Sequence, residues 1–241
     1  MTLQPYAEAQ ASIGKELVDL EDAREHSWIG HGNFLLHNLL SDAQLVQFLI
    51  CAYDKEAESS DRWHRTVTAD EIKKLYQDWP PHLVQAIDKL LCKQTEHNAF
   101  YLWEHLPAHS YVSGPLCVIG DAAHATTPWQ SSGGGMSIED SLILSTLLGR
   151  ATSPTEALAA LKAYDQVRRP RTQRIVDSSR DTGIILTGRE QTGLELKKSG
   201  TLLKRWDFIL DIDMEKHRDE AIEVMEAELA KGRSQDGCTR G

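Results

Sequence analysis

Long apolar runs are missing from this 241-residue chain. A helix that crosses a bilayer needs about 20 consecutive apolar residues. The longest apolar stretch, Leu45 to Tyr53, has fewer than half of those, so no membrane span is expected. The N-terminus lacks the basic flank and apolar segment of a secretory leader. Cysteine is sparse: Cys51, Cys92, Cys117 and Cys238 are widely spaced and form no C-x-x-C pair. Four free thiols in a reducing, cytoplasmic setting fit this better than a disulfide framework. Basic residues are also in deficit, 26 against 36 acidic ones for a net charge of −10, which argues against nucleic acid as a partner. Internal repeats and low-complexity tracts are absent. What remains is 41% hydrophobic content over a length that suits one large domain or two small ones, enough to build a core and to exclude a disordered or collagenous chain.

The pattern is an irregular mixture of helix and strand. Phe34 to His37 and Gln44 to Cys51, separated by the polar Ser41-Asp42, read as an antiparallel pair of strands. After a charged loop, Thr68 and Glu71 have the spacing of a capping box, opening a helix with Ile72, Leu75 and Trp79 on one face. Pro80-Pro81 ends it, and a second short helix covers His82 to Leu91. The aromatic run Phe100 to Glu104 reads as a strand, and Leu116 to Ile119 as a fully buried one. That second strand stops at Gly120-Asp121 and leads through a loop ending in Gly133-Gly134-Gly135 into a helix from about Met136 to Leu148, whose apolar residues, Ile138 and Leu142 among them, read as core. Ser153-Pro154-Thr155-Glu156 caps a further helix with Leu158, Leu161, Tyr164 and Val167 as its buried stripe, bent or ended by Pro170. A final amphipathic helix surrounds Ala221, Val224, Met225 and Leu229, with a frayed end from Ser234.

Chemistry concentrates between Gly120 and Asp140. A carboxylate at the end of a buried strand can accept hydrogen bonds from sugar-like hydroxyls, because ligands of open α/β sheets bind beyond the strand ends; Asp121 has that place. Glycines at a helix start let a ligand approach the backbone, and the open N–H groups and positive dipole end there stabilise negative charge; Gly133, Gly134, Gly135 and Met136 have that place. Asp121 and His124 could share a metal, but no third ligand has suitable spacing, so none is expected. Arg168, Arg169, Arg171 and Arg174 form a basic run that could face a phosphate and reads more simply as a solvated helix face. Trp103 and Trp129 read as packing residues.

The stretch G-D-A-A-H-A-T-T-P from Gly120 to Pro128, followed by the glycine loop and Glu139-Asp140, resembles the GD motif of class A FAD-dependent aromatic hydroxylases, in particular their salicylate hydroxylase-like branch. The resemblance implies that Gly120 and Asp121 hold the ribityl chain of FAD. It implies that Pro128 lies beside the isoalloxazine ring and that Gly133 to Met136 face its pyrimidine edge. It further implies a monooxygenase that uses NADPH or NADH and O2 to hydroxylate a small aromatic molecule. No side chain is thereby assigned as a catalytic acid or base, since the flavin carries the redox chemistry. Two departures stand out. The family places Gly-Gln-Gly where this chain has Ser131-Ser132-Gly133, and the G-x-G-x-x-G fingerprint and the second D-G motif, which lie upstream of GD in the family, are absent.

The expected fold is therefore mixed α/β: a partial Rossmann-like FAD-binding domain with an antiparallel substrate-domain sheet, lacking the N-terminal βαβ unit. Residues 1–105 would belong to the substrate domain, 106–185 to the FAD domain and 186–241 to a helical tail. Two alternatives to an active monooxygenase follow: a non-catalytic fragment, or a binding module that pairs with a separate N-terminal half.

Overall fold

Alternation at every second residue builds the first sheet. Strands β1 (His26–Ile29), β2 (Asn33–Leu40) and β3 (Leu45–Ala52) pair antiparallel in that order, with Trp28 opposite Leu35 and Leu35 opposite Ile50. Side chains on paired positions share a face, so Trp28, Leu35, Phe48 and Ile50 form one apolar surface. It packs on Val67, Ile72, Tyr76 and Ile87. The expected strand pair is present as β2 and β3, and β1 adds a third strand. The chain is described from a computed structural model at residues 25–40, 45–54, 62–189, 202 and 204–238; the turn expected at Ser41-Asp42 lies outside them.

Strand β4 (His64–Thr68) pairs with β5 (Glu96–Phe100). The second strand thus precedes the aromatic run in which it was expected, and only Phe100 is common to both. Helix α1 (Ala69–Tyr76) opens with the expected capping box: the Glu71 N–H donates to Thr68 Oγ1 at 3.2 Å and the Thr68 N–H donates to Glu71 Oε2 at 2.8 Å. Its buried residues are Ile72 and Tyr76, not Leu75, which is exposed, and Trp79 lies past the helix end. The i, i+4 spacing of Ile72 and Tyr76 aims both at the sheet, where the Tyr76 hydroxyl donates to the Phe34 carbonyl at 2.9 Å. Helix α2 (Pro81–Ala86) starts with Pro in the first turn and runs on as a π turn over Ile87–Leu91.

The chain divides into two units: one within Met1–Tyr101 and Ile184–Leu194, the other within Leu102–Gly183 and Glu195–Gly241. The second holds a short hairpin, β6 (Val112–Ser113) with β7 (Leu116–Cys117), then α3 (Asp121–His124), a 3-10 turn at Pro128–Gln130, α4 (Gly133–Arg150) and most of α5 (Pro154–Leu186). After α6 (Asp207–Leu210), α7 (Met214–Cys238) buries Ala221 and Met225 in a cluster with Ile143, Leu147, Ala160 and Tyr164. Of the segment from Ser234 that was expected to fray, α7 includes the part up to Cys238, and residues 239–241 lie outside the described residues.

Three expectations fail here for physical reasons. The segment Leu116 to Ile119 is not buried: Leu116 is 72% exposed, and Val118 and Ile119 are exposed too, because β7 has only β6 as a partner among the described residues. Helix α4 buries Met136, Asp140, Ile143 and Leu147, and leaves Ile138 and Leu142 exposed. Pro170 neither ends nor breaks α5, which stays helical through it. Arg168 and Arg171, on either side of Pro170, are both bound to Glu139 of α4, and these bonds hold the helix across the missing N–H. In the same helix Leu158 is exposed, whereas Tyr164 and Val167 are buried.

Candidate functional site

The turn that carries Asp121 begins with a backbone only glycine accommodates. Gly120 has φ 58° and ψ −142°, a region closed to residues with a Cβ. A Cβ there would also sit 3.0 Å from Ser137 Oγ of α4. This conformation turns the chain from β7 directly into α3. Asp121, the first residue of that helix, is exposed, and its carboxylate has no side-chain partner among the described residues.

His124, three residues on, points the other way. It is buried, and its Nε2 lies 2.6 Å from Asp140 Oδ2. The Asp121/His124 pair weighed as a metal site is therefore split: His124 belongs to Asp140 and Asp121 to the surface. Asp140 Oδ2 also accepts the Gly120 N–H at 3.0 Å, while Oδ1 accepts Arg168 Nε at 2.8 Å. Burial pushes the Asp140 carboxyl up, but the bonds from His124, Gly120 and Arg168 outweigh it and hold the pKa at about 2. With Asp140 ionised, His124 carries its hydrogen on Nε2, and Nδ1 is buried with no partner among the described residues.

Pro128 is exposed at the start of the 3-10 turn. Ser131, where the resembled family has glycine, is left-handed with φ 52° and ψ 31°. The glycine conformation is thus kept by a serine, at a cost. Helix α4 starts at Gly133, three residues before Met136, so all three glycines lie in its first turn. Ser132 precedes them without capping: its hydroxyl donates to the Gln130 carbonyl at 2.8 Å, so the N-cap side chain leaves the first-turn N–H groups uncovered. A Cβ at Gly134 or Gly135 would meet nothing within 4 Å, so the approach to these N–H groups is open. Met136 is buried beneath them.

The basic run is not a solvated face. Arg168 is fully buried, its Nη1 donating to Glu139 Oε2 at 2.6 Å and Nη2 to the Met136 carbonyl at 3.2 Å. Arg171 forms a two-pronged pair with Glu139, both contacts at 2.8 Å. Arg169 pairs with Asp165, and Arg174 stacks over Phe208 at 4.1 Å. Glu139 and Asp140 had no role assigned beyond their place in the motif, and Arg168 was expected only as part of the solvated basic run. The signal for two of them is phase: Asp140 lies four residues after Met136 and three before Ile143, and Arg168 four after Tyr164, so opposite charges occupy core positions on successive helices.

A groove of about 660 Å³ elsewhere on this unit is lined by Arg169, Arg174, Arg205, Asp177, Asp181 and Phe208. None of the residues expected to hold FAD borders it.

These features match known proteins. The FAD binding domain family model matches residues 16–179. The 6-methylsalicylate 1-monooxygenase of Aspergillus terreus is 30% identical over 227 residues, covering 92% of this chain and 48% of that protein. An FAD-dependent monooxygenase of Phaeosphaeria nodorum is 30% identical over 223 residues, covering 90% of this chain and 44% of that protein. Among solved structures, a salicylate hydroxylase substrate complex superposes with a TM-score of 0.76 at 24% identity, over 91% of this chain and 54% of that one. The chain spans about half the length of these proteins. No helix among the described residues is long and apolar enough to cross a membrane.

Proposed function

Because the chain belongs to the FAD binding domain family of FAD-dependent monooxygenases, we propose that it supplies the ribityl- and pyrimidine-facing part of an FAD site in an enzyme that hydroxylates a small aromatic molecule. NADPH or NADH would be the reductant. Asp121 would accept the ribityl hydroxyls beside Gly120, Pro128 would border the ring, and the N–H groups of Gly133, Gly134 and Gly135 would face its polar edge, with Met136, whose own N–H donates to the Ser132 carbonyl at 2.9 Å, closing the turn behind them. The observation that carries this reading is the pairing of an exposed carboxylate at Asp121, without a side-chain partner among the described residues, with an uncapped, glycine-lined helix start in α4. Both suit a ligand with hydroxyls and an electron-rich edge. The fit extends to that end only, since no glycine fingerprint for a pyrophosphate occurs in the sequence.

When bound, FAD would supply the redox chemistry of oxygen activation. The chain's own groups would orient it and stabilise charge on its edge through N–H donors already fixed in place. The names of the relatives, built on salicylate and 6-methylsalicylate, support an aromatic acid as the substrate class.

A second reading draws on the exposure of Leu116, Val118 and Ile119, an apolar strand end with an open edge. Such an edge seats another strand, so the chain could pair with a separate polypeptide that carries the N-terminal half of the fold. Titration of the purified chain with FAD, followed by flavin absorbance near 450 nm and fluorescence, separates the two. Saturable binding with a perturbed spectrum supports a site formed by this chain. A folded chain that binds FAD only after a companion half is added supports pairing, and no binding in either case defeats both.

A further inference from the structure

We propose that the buried ion pair Asp140–Arg168 is a positioning device shared by two elements, the Gly120–His124 turn and the glycine start of α4; calling these elements ligand-facing rests on the proposed flavin site. Asp140 and Arg168 are both fully buried, and between them their hydrogen bonds reach both of those elements. One oxygen of Asp140 takes the Gly120 N–H and the His124 ring, and the other takes Arg168 Nε. The same guanidinium reaches the Met136 carbonyl through Nη2, and Glu139 and His217 Nε2 through Nη1. A guanidinium is a rigid planar fork whose donors keep fixed angles. Met136 is thus held directly by that plane and Gly120 through Asp140, so neither segment can shift without straining a bond of the pair.

Buried ion pairs are seldom better stabilisers than apolar side chains of the same volume, because desolvation offsets the attraction; what they add is one defined arrangement. Here that arrangement spans four elements. The turn comes from the end of β7, the glycines from α4, the guanidinium from α5 and the sealing imidazole from α7. The charges balance two against two: Asp140 and Glu139 against Arg168 and Arg171, with His217 accepting from Arg168 at 3.2 Å. Asp121 itself makes no bond to the network, so its carboxylate takes its position from the turn that Asp140 holds.

The test is amide hydrogen exchange by mass spectrometry on the whole chain, comparing wild type, Asp140→Asn and a control, Arg180→Gln, which removes the more exposed pair with Glu104. In Asp140→Asn, residues 120–125 and 133–137 should exchange together, faster by about tenfold or more, while the centre of α5 stays unchanged. The control should leave both segments at the wild-type rate. Acceleration of only one segment, or of neither, in a folded Asp140→Asn overturns the proposal. If Asp140→Asn loses its far-ultraviolet circular dichroism, Arg168→Lys takes its place, keeping the charge and losing the fork. Joint opening is again expected, and native exchange, or loss of fold in both variants, overturns the positioning role. FAD titrations on the same samples separate the two claims. A wild type that binds no FAD yet shows the exchange result removes the flavin reading alone, whereas equal affinity and identical flavin spectra in wild type and Asp140→Asn overturn the proposal.

Discussion

The indole of Trp129 lies against Gly183 of α5 so closely that a Cβ on that glycine would overlap the indole ring. This explains a glycine within the last turn of a long helix, where alanine is ordinarily the better helix former, by up to about 1 kcal/mol. The contact also fixes the 3-10 turn that begins with Pro128. Gly183→Ala should therefore destabilise the chain by about 1–3 kcal/mol, the usual cost of overpacking. Urea unfolding followed by tryptophan fluorescence checks it, and a variant as stable as wild type or more so refutes the packing role.

Ser131 gives the opposite expectation. Its left-handed backbone costs about 1 kcal/mol for a residue with a Cβ and little for glycine. Ser131→Gly should raise stability by about 0.5–1 kcal/mol, and Ser131→Val should lower it by more than that, because β-branched residues tolerate this region worst. Midpoints of thermal unfolding for the two variants should fall on opposite sides of wild type.

Two kinds of sequence signal were legible and two were not. The capping box at Thr68 and Glu71 and the Gly120 to Asp140 stretch could be read because their chemistry needs particular residues within a few positions of one another. The face of α4 was misread: Ile138 and Leu142 are apolar, yet Met136, Asp140, Ile143 and Leu147 are the buried set. Apolarity alone gave the wrong phase because the buried row includes a carboxylate. Arg168 was missed for the matching reason. Four arginines in a short run look like a solvated face when counted together, whereas the one in phase with Tyr164 is fully buried opposite Asp140. Partners so far apart in sequence become visible only when the helices are packed.

Acid should weaken the first unit through His37. The ring is buried, takes a hydrogen bond from Trp28 Nε1 at 3.1 Å, and stacks on His26 at 5.0 Å. Burial, reinforced by His26 and His82, lowers its pKa from 6.5 to about 4. The folded state thus favours neutral imidazole, while the unfolded chain takes up a proton first. This contribution is whole above pH 6.5 and is lost as the pH falls towards 4, by up to about 3 kcal/mol. His82, also lowered by burial, adds a loss of the same sign in this unit, and His217 does so in the second. Urea midpoints at pH 7.5 and 4.5 should differ less in His37→Gln than in wild type. An NMR titration that placed His37 near 6.5 would contradict this.

Asp121 separates ligand binding from folding. Its carboxylate is exposed and has no partner among the described residues, so Asp121→Ala should change stability by no more than about 0.5 kcal/mol. If the carboxylate accepts ribityl hydroxyls, the same variant should bind FAD about ten- to a hundredfold more weakly, the loss expected for a charge-assisted bond. Equal affinities for FAD in Asp121→Ala and wild type would remove Asp121 from the site.

The two faces of α4 make the last contrast. Ile143 is fully buried, and Ile143→Ala should cost about 2–5 kcal/mol through lost contacts and the cavity left behind. Ile138, five residues earlier, is 73% exposed, and Ile138→Glu should leave unfolding within about 0.5 kcal/mol of wild type. Exposed isoleucine beside Leu142 on this face is costly in water only if nothing covers it. Ile138→Glu should accordingly improve solubility of the chain alone, yet block flavin binding restored by a companion polypeptide if that polypeptide seats here. Restoration that proceeds equally well with Ile138→Glu would place any companion on another surface.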